Sequence, residues 1–108
     1  MAKVDVQWGE RLKQARLAAG LSQKQLGIEA GIDQFVASTR INRYELGVHK
    51  PDFLTAQNLA KVLGLPVAYF YAMEDDLAEV IASYSQAKPS DRLKFRRMLL
   101  EMTKDGVP

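Results

Sequence analysis

Gly20-Leu21-Ser22-Gln23-Lys24-Gln25-Leu26-Gly27-Ile28-Glu29-Ala30-Gly31-Ile32-Asp33-Gln34-Phe35-Val36-Ala37-Ser38-Thr39-Arg40-Ile41-Asn42-Arg43-Tyr44-Glu45-Leu46-Gly47 is the stretch of this 108-residue chain on which the reading of the fold turns. Ser22 followed three residues later by Gln25 is a capping-box pattern. It predicts a short helix that carries Leu26 and Ile28 inward and closes at Ala30 and Gly31. Ala37, Ile41 and Tyr44 then recur at i, i+4, i+7, one apolar stripe of a second short helix ended by Gly47. The opposite side of that helix carries Ser38, Thr39, Arg40, Asn42 and Arg43. These are hydroxyls, an amide and two guanidiniums, with no acid before Glu45, the side chains suited to base edges and phosphates.

Two short helices joined in this way, the second with a basic polar face, describe a helix-turn-helix unit. Gly20-Leu21-Ser22-Gln23-x-x-Leu26, then Ala30-Gly31-Ile32, then Ile41-x-x-Tyr44-Glu45-x-Gly47 and Pro51 resemble the phage-repressor (Xre-like) helix-turn-helix family over roughly Gly9 to Tyr71. Any one fragment is weak; the ordered set is specific. The resemblance implies an all-α, five-helix, lambda-repressor-like DNA-binding domain, here followed by a two-helix extension. The division falls into residues 1–73 and 74–108.

Composition agrees with an intracellular domain. Hydrophobic residues make up 47% of the chain and there is no cysteine, which excludes a disulfide framework, a thiolate zinc site and a cysteine nucleophile. No signal-peptide pattern and no membrane-spanning run is present, so a cytoplasmic location is expected. Net charge is only +2. Its distribution is more informative: residues 1–73 hold nine Lys/Arg and six Asp/Glu (+3), residues 74–108 six and seven (−1). Between Ala37 and Lys50 stand Arg40, Arg43 and Lys50 with Glu45 as the one acid, so positive charge gathers at the expected reading helix.

A first helix is expected from Trp8 to Gly20, with Trp8, Leu12, Ala15 and Ala19 on one face. Arg16 on this helix would ordinarily be a solvated charge. The family resemblance implies instead a partly buried ion pair with Glu45. Breaking such a pair costs about 3 to 5 kcal/mol, against about 0 to 1 for a surface pair. Gly27 sits where the family usually has Ala, at a helix cost of about 1 kcal/mol. Either a close helix contact offsets that cost or the helix is loose.

Between Gly31 and Ala37 the chain has about four residues more than the family pattern. A helix starting at Asp33 would turn Phe35 and Val36 away from the Ala37, Ile41, Tyr44 stripe, so an enlarged turn is expected. Beyond Gly47, Pro51 and Asp52 mark a loop and an N-cap. Phe53, Ala56, Leu59, Ala60 and Leu63 then form a fourth helix up to Gly64, and Pro66 opens a short aromatic fifth. Asp76 with Glu79 would cap a sixth helix with the stripe Leu77, Val80, Ile81, Tyr84. After Lys88-Pro89-Ser90 a seventh carries Phe95, Met98, Leu99 and Met102, the two forming an antiparallel hairpin. Gly106-Val107-Pro108 are expected to fray.

Carried over position by position, the resemblance gives Gln23 a bracing role toward a phosphate or the reading residues. Ser38, Thr39, Asn42 and Arg43 are expected to face base edges, and Arg40, also a DNA-binding residue, is ambiguous in its role. Arg matches guanine and Asn matches adenine, although the family residue at Asn42 often touches only backbone. His49 and Lys50 hold phosphates; the solvated-loop reading of His49 stays open, and a lone His without Cys makes no metal site. The expected partner is double-stranded DNA with a palindromic operator, bound by a homodimer joined through the C-terminal hairpin, with no cofactor and no metal; sequence does not specify a small-molecule effector. A protein-binding module on the same fold, an antitoxin and a restriction-modification controller are the alternatives. No clustered nucleophile, base or metal set suggests an enzyme; Asp75 and Asp76 point to different sides of a helix.

Overall fold

The structure, a computed structural model, describes residues 3–104. Its elements are α1 (Lys3–Ala18), α2 (Gln23–Glu29), α3 (Ala37–Glu45), α4 (Phe53–Leu63), α5 (Ala68–Tyr71), α6 (Asp75–Gln86) and α7 (Pro89–Thr103). The chain is all-α among the described residues, as expected. Residues 105–108, where fraying was expected, lie outside them.

Local signals account for most of the boundaries. Ser22 Oγ accepts the Gln25 N–H (3.0 Å) while the Gln25 side chain accepts the Ser22 N–H (2.9 Å), the reciprocal capping box. Asp52 caps α4 by accepting the Thr55 N–H at 2.8 Å. Gly47 and Gly64 close α3 and α4 with φ of +73° and +69°, a region that side chains with a Cβ disfavour. The first helix runs further back than expected, to Lys3, and stops at Ala18.

The core joins Trp8 and Leu12 of α1, Leu26 of α2, Ala37, Ile41 and Tyr44 of α3, Ala56, Leu59 and Ala60 of α4, and Phe70 of α5. Phe70 stacks on Trp8 with ring centroids 5.3 Å apart, so the aromatic fifth helix is a core plug. In the first four helices Ala19, Ile28 and Phe53, expected inside, are exposed instead. Ala19 lies in the turn beyond α1. In α2 it is Gly27, one residue before Ile28, that faces α3. Phe53 opens α4 on the first turn, outside the packed body.

Two glycines permit the close helix crossings that fix α3. A Cβ on Gly27 would lie 2.7 Å from Ala37 Cβ, which settles the open question about Gly27 in favour of close contact. A Cβ on Gly9 would lie 2.4 Å and 2.5 Å from the carbonyl oxygens of Glu45 and Tyr44. Thus α1 rests directly on the C-terminal end of α3.

The C-terminal helices depart from the expected pattern. α6 begins at Asp75 and its N-cap position, Glu74, makes no side-chain cap; Asp76 accepts the Leu77 N–H (2.9 Å) rather than capping with Glu79. Ala78 is the residue that α6 buries, against α5, while Leu77 and Val80 are exposed. Side-chain contacts between α6 and α7 gather at Tyr84 near the turn, where Phe95 lies 5.8 Å away, Arg92 stacks at 5.2 Å and Arg96 Nη1 donates to the Tyr84 hydroxyl at 2.7 Å. α7 buries no residue.

Candidate nucleic-acid interface

The frame beneath α3 is a buried ion pair. Arg16 Nε donates to Glu45 Oε2 at 2.6 Å and Nη2 donates to Oε1 at 3.1 Å, while Nη1 donates to the Leu21 carbonyl at 2.9 Å. Both residues are buried, so the ion pair is structural and internal. A forked guanidinium on two carboxylate oxygens fixes rotation as well as distance, which holds the end of α3 against α1 and the start of α2.

Gln23, half-buried at the first position of α2, extends this network outward. Its Nε2 donates to Glu45 Oε1 and to Asn42 Oδ1, each at 3.1 Å. Gln23 thus links the buried Glu45 to a residue on the outer side of α3. With Oδ1 engaged, Asn42 presents its NH2 group outward as a donor.

At 100° per residue, the buried set Ala37, Ile41, Tyr44 and Glu45 leaves Thr39, Asn42 and Arg43 at the centre of the opposite face, with Ser38 and Arg40 at its margins. All five are exposed. Burial, the largest effect, pushes the Tyr44 phenol above its ordinary 10.0; the nearby Arg40 cation opposes the rise and Asp52 adds to it. His49 and Lys50 are exposed in the loop that follows, and the His49 N–H donates to the Arg43 carbonyl at 3.3 Å. No acidic side chain interrupts this surface from Ser38 to Arg43.

The enlarged turn is present and ordered. Asp33 Oδ1 accepts the Phe35 N–H (2.8 Å) and the Asp33 carbonyl accepts the Val36 N–H (3.1 Å), and α3 starts at Ala37. It does not shelter its apolar residues, however: Phe35 is 87% exposed. Phe35 stands at the entrance to α3 and was not among the expected site residues. Its only sequence signal was an aromatic inside an insertion.

A second buried arginine was also missed. Arg11 Nε and Nη2 donate to the Ala72 carbonyl (3.1 and 2.9 Å), and Nη2 lies 3.1 Å from Asp75 Oδ1, tying α1 to the segment between α5 and α6. In sequence it is one of many charged positions on an amphipathic helix.

The helix-turn-helix family model (HTH_3) matches residues 12–70. The chain belongs to the Xre-like helix-turn-helix family. This helix-turn-helix protein is 31% identical over 68 residues to proteins of Sinorhizobium medicae (strain WSM419) and Rhizobium meliloti (strain 1021), each named an uncharacterized HTH-type transcriptional regulator. The match takes in 63% of this chain and 46% of each relative, so the chain spans about half their length. Among solved structures it is similar to the transcriptional regulator BswR. Identity there is 43% and the TM-score 0.84, covering 92% of this chain and 98% of that one. The family model ends at residue 70, whereas the structural likeness continues into the C-terminal helices. Among the described residues of this helix-turn-helix protein, no helix is long and apolar enough to cross a membrane.

Proposed function

We propose that this protein is a sequence-specific, double-stranded-DNA-binding transcriptional repressor that reads the major groove with α3 and works in the cytoplasm. The observation that carries the reading is the outward face of α3: exposed Ser38, Thr39, Arg40, Asn42 and Arg43, free of acids, on a helix clamped by Arg16–Glu45. Rigid presentation matters because orientation must be fixed before a base edge can be discriminated.

In this reading α2 crosses the backbone and α3 enters the groove. Thr39, Asn42 and Arg43 face base edges. A bidentate Arg43 on guanine contributes about 1 to 3 kcal/mol of discrimination. Asn42, its Oδ1 held by Gln23, offers donors to an acceptor such as adenine N7 or a phosphate. Ser38 and Arg40, at the margins, together with His49 and Lys50, hold phosphates and set register. The chain is not an enzyme in this account: its charged residues serve packing, capping and the duplex.

Residues 1–73 form the DNA-binding unit and residues 74–108 the dimerisation element. A homodimer places two copies of α3 on a palindrome with half-sites about one helical turn, ~34 Å, apart. Repression follows from occupation of that operator. Selection of bound duplexes from a random pool tests the reading: enrichment of a palindromic motif supports it. Recovery of unenriched sequence would leave the fold as a protein-binding module.

A further inference from the structure

We infer that Phe35, in the enlarged turn before α3, packs on the C5-methyl group of a pyrimidine in the major groove, adding one apolar contact to the polar ones of α3. The inference deepens the reading of α3 proposed above and rests on it. Phe35 is 87% exposed, more than any other large hydrophobic residue among the described ones. Its backbone is nevertheless fixed. Asp33 Oδ1 accepts the Phe35 N–H at 2.8 Å, and the Asp33 carbonyl accepts the Val36 N–H at 3.1 Å. A hydrogen-bonded turn therefore holds the ring out in water.

Its place relative to α3 selects the partner. Phe35 precedes Thr39 by four residues and Asn42 by seven, the spacing that continues the outward face of α3 back through the turn. In a helix-turn-helix the N-terminal residues of the reading helix contact base edges, so a ring at this end enters the groove with them. Ser38 and Thr39 beside it are exposed and uncharged. The one acid of the turn, Asp33, has its carboxylate engaged by the Phe35 N–H.

The chemistry of the ring narrows the target to one group. A phenyl side chain has no hydrogen-bonding atom, so it gains by leaving water only against carbon. In the major groove the apolar group on a base is the C5-methyl of thymine, whereas the minor groove offers a degenerate pattern of acceptors and one donor. 5-Methylcytosine carries the same methyl group. Contact with it is apolar and therefore releases no counterions, which separates it from the phosphate contacts of Lys50.

A methyl-deletion scan of the duplex selected by the full chain tests this. Each thymine of the enriched motif is replaced in turn by deoxyuridine, which removes the methyl group and keeps the pairing edge. For the parent protein, replacement at one position of the half-site should weaken binding about fourfold, the contribution of one buried methyl group, equally at low and high salt. For Phe35→Ala the same replacement should change nothing further, and Phe35→Leu should keep part of the dependence. Comparing cytosine with 5-methylcytosine at that position separates the two sources: a gain with the methyl extends the contact to methylated DNA, and no gain confines it to thymine. Phe35 is exposed, so Phe35→Ala should melt with the parent, and the scan of the parent needs no variant. A parent protein indifferent to every deoxyuridine, or a methyl dependence that persists unchanged in Phe35→Ala, would overturn the inference and leave the enriched motif, and with it the reading of α3, intact. Failure to enrich any duplex would overturn both.

Discussion

Arg16 of α1 grips both carboxylate oxygens of Glu45 at the C-terminal end of α3, and no more than 8% of either residue is exposed. The contact joins α1 to α3 through residues 29 positions apart in sequence. It also decides how firmly the outward face of α3 is held.

Removing one partner strands a charge in the core. Glu45→Ala should therefore cost about 3 to 5 kcal/mol in urea unfolding, and Arg16→Met with Glu45→Leu should recover most of that loss. A cost below about 1 kcal/mol for Glu45→Ala would mean that the pair behaves as a solvated one.

Gly27→Ala should destabilise although alanine is the better helix former by about 1 kcal/mol. The added methyl meets Ala37 Cβ at 2.7 Å, and overpacking costs about 1 to 3 kcal/mol. Ala37→Gly in the same chain removes the closest of these contacts and leaves those to the Ala37 backbone at 3.2 and 3.3 Å, so it should recover part of the loss, and a thermal-melt comparison of the single and double variants checks the mechanism. Equal melting of Gly27→Ala and the parent would contradict it.

Hydrogen bonds from Thr55 hold the Asp52 carboxyl below its ordinary 3.8. A depressed carboxylate stabilises the fold above its unfolded-state value, and that contribution is lost as pH falls through the folded-state value. The stability gap between the parent and Asp52→Ala should therefore be present at neutral pH and shrink on acidification below about pH 4. A gap that stays constant through the acid range would show that the cap acts without its charge.

Much of this was legible in the sequence because local chemistry dictates it. The Ser22–Gln25 box, the Asp52 cap and the terminating glycines are short-range signals, and each sits where expected. The stripes of α3 and α4 are periodic and mostly buried. What sequence could not supply were contacts set by distant chain segments. Gly27 against Ala37 and Gly9 against the α3 carbonyls depend on how helices cross, and Arg11 reaches a carbonyl 61 residues away. Phe35 shows the limit of an apolar-in rule: the turn formed as expected, but nothing folds over it. The Leu77, Val80 stripe failed for the same reason, since α6 turns Ala78 to its neighbour and leaves the larger side chains outside.

The central claim is that the uncovered side of α3 discriminates sequence while the loop after it only holds backbone. Titration of Arg43→Ala and Lys50→Ala against a selected duplex and a random one, across salt concentrations, tests it most directly. Arg43→Ala should lose about 1 to 3 kcal/mol on the selected duplex, little on the random one, and relax one base position. Lys50→Ala should weaken both alike and lower the salt slope by about 1. Equal losses on both duplexes for both variants would contradict the account.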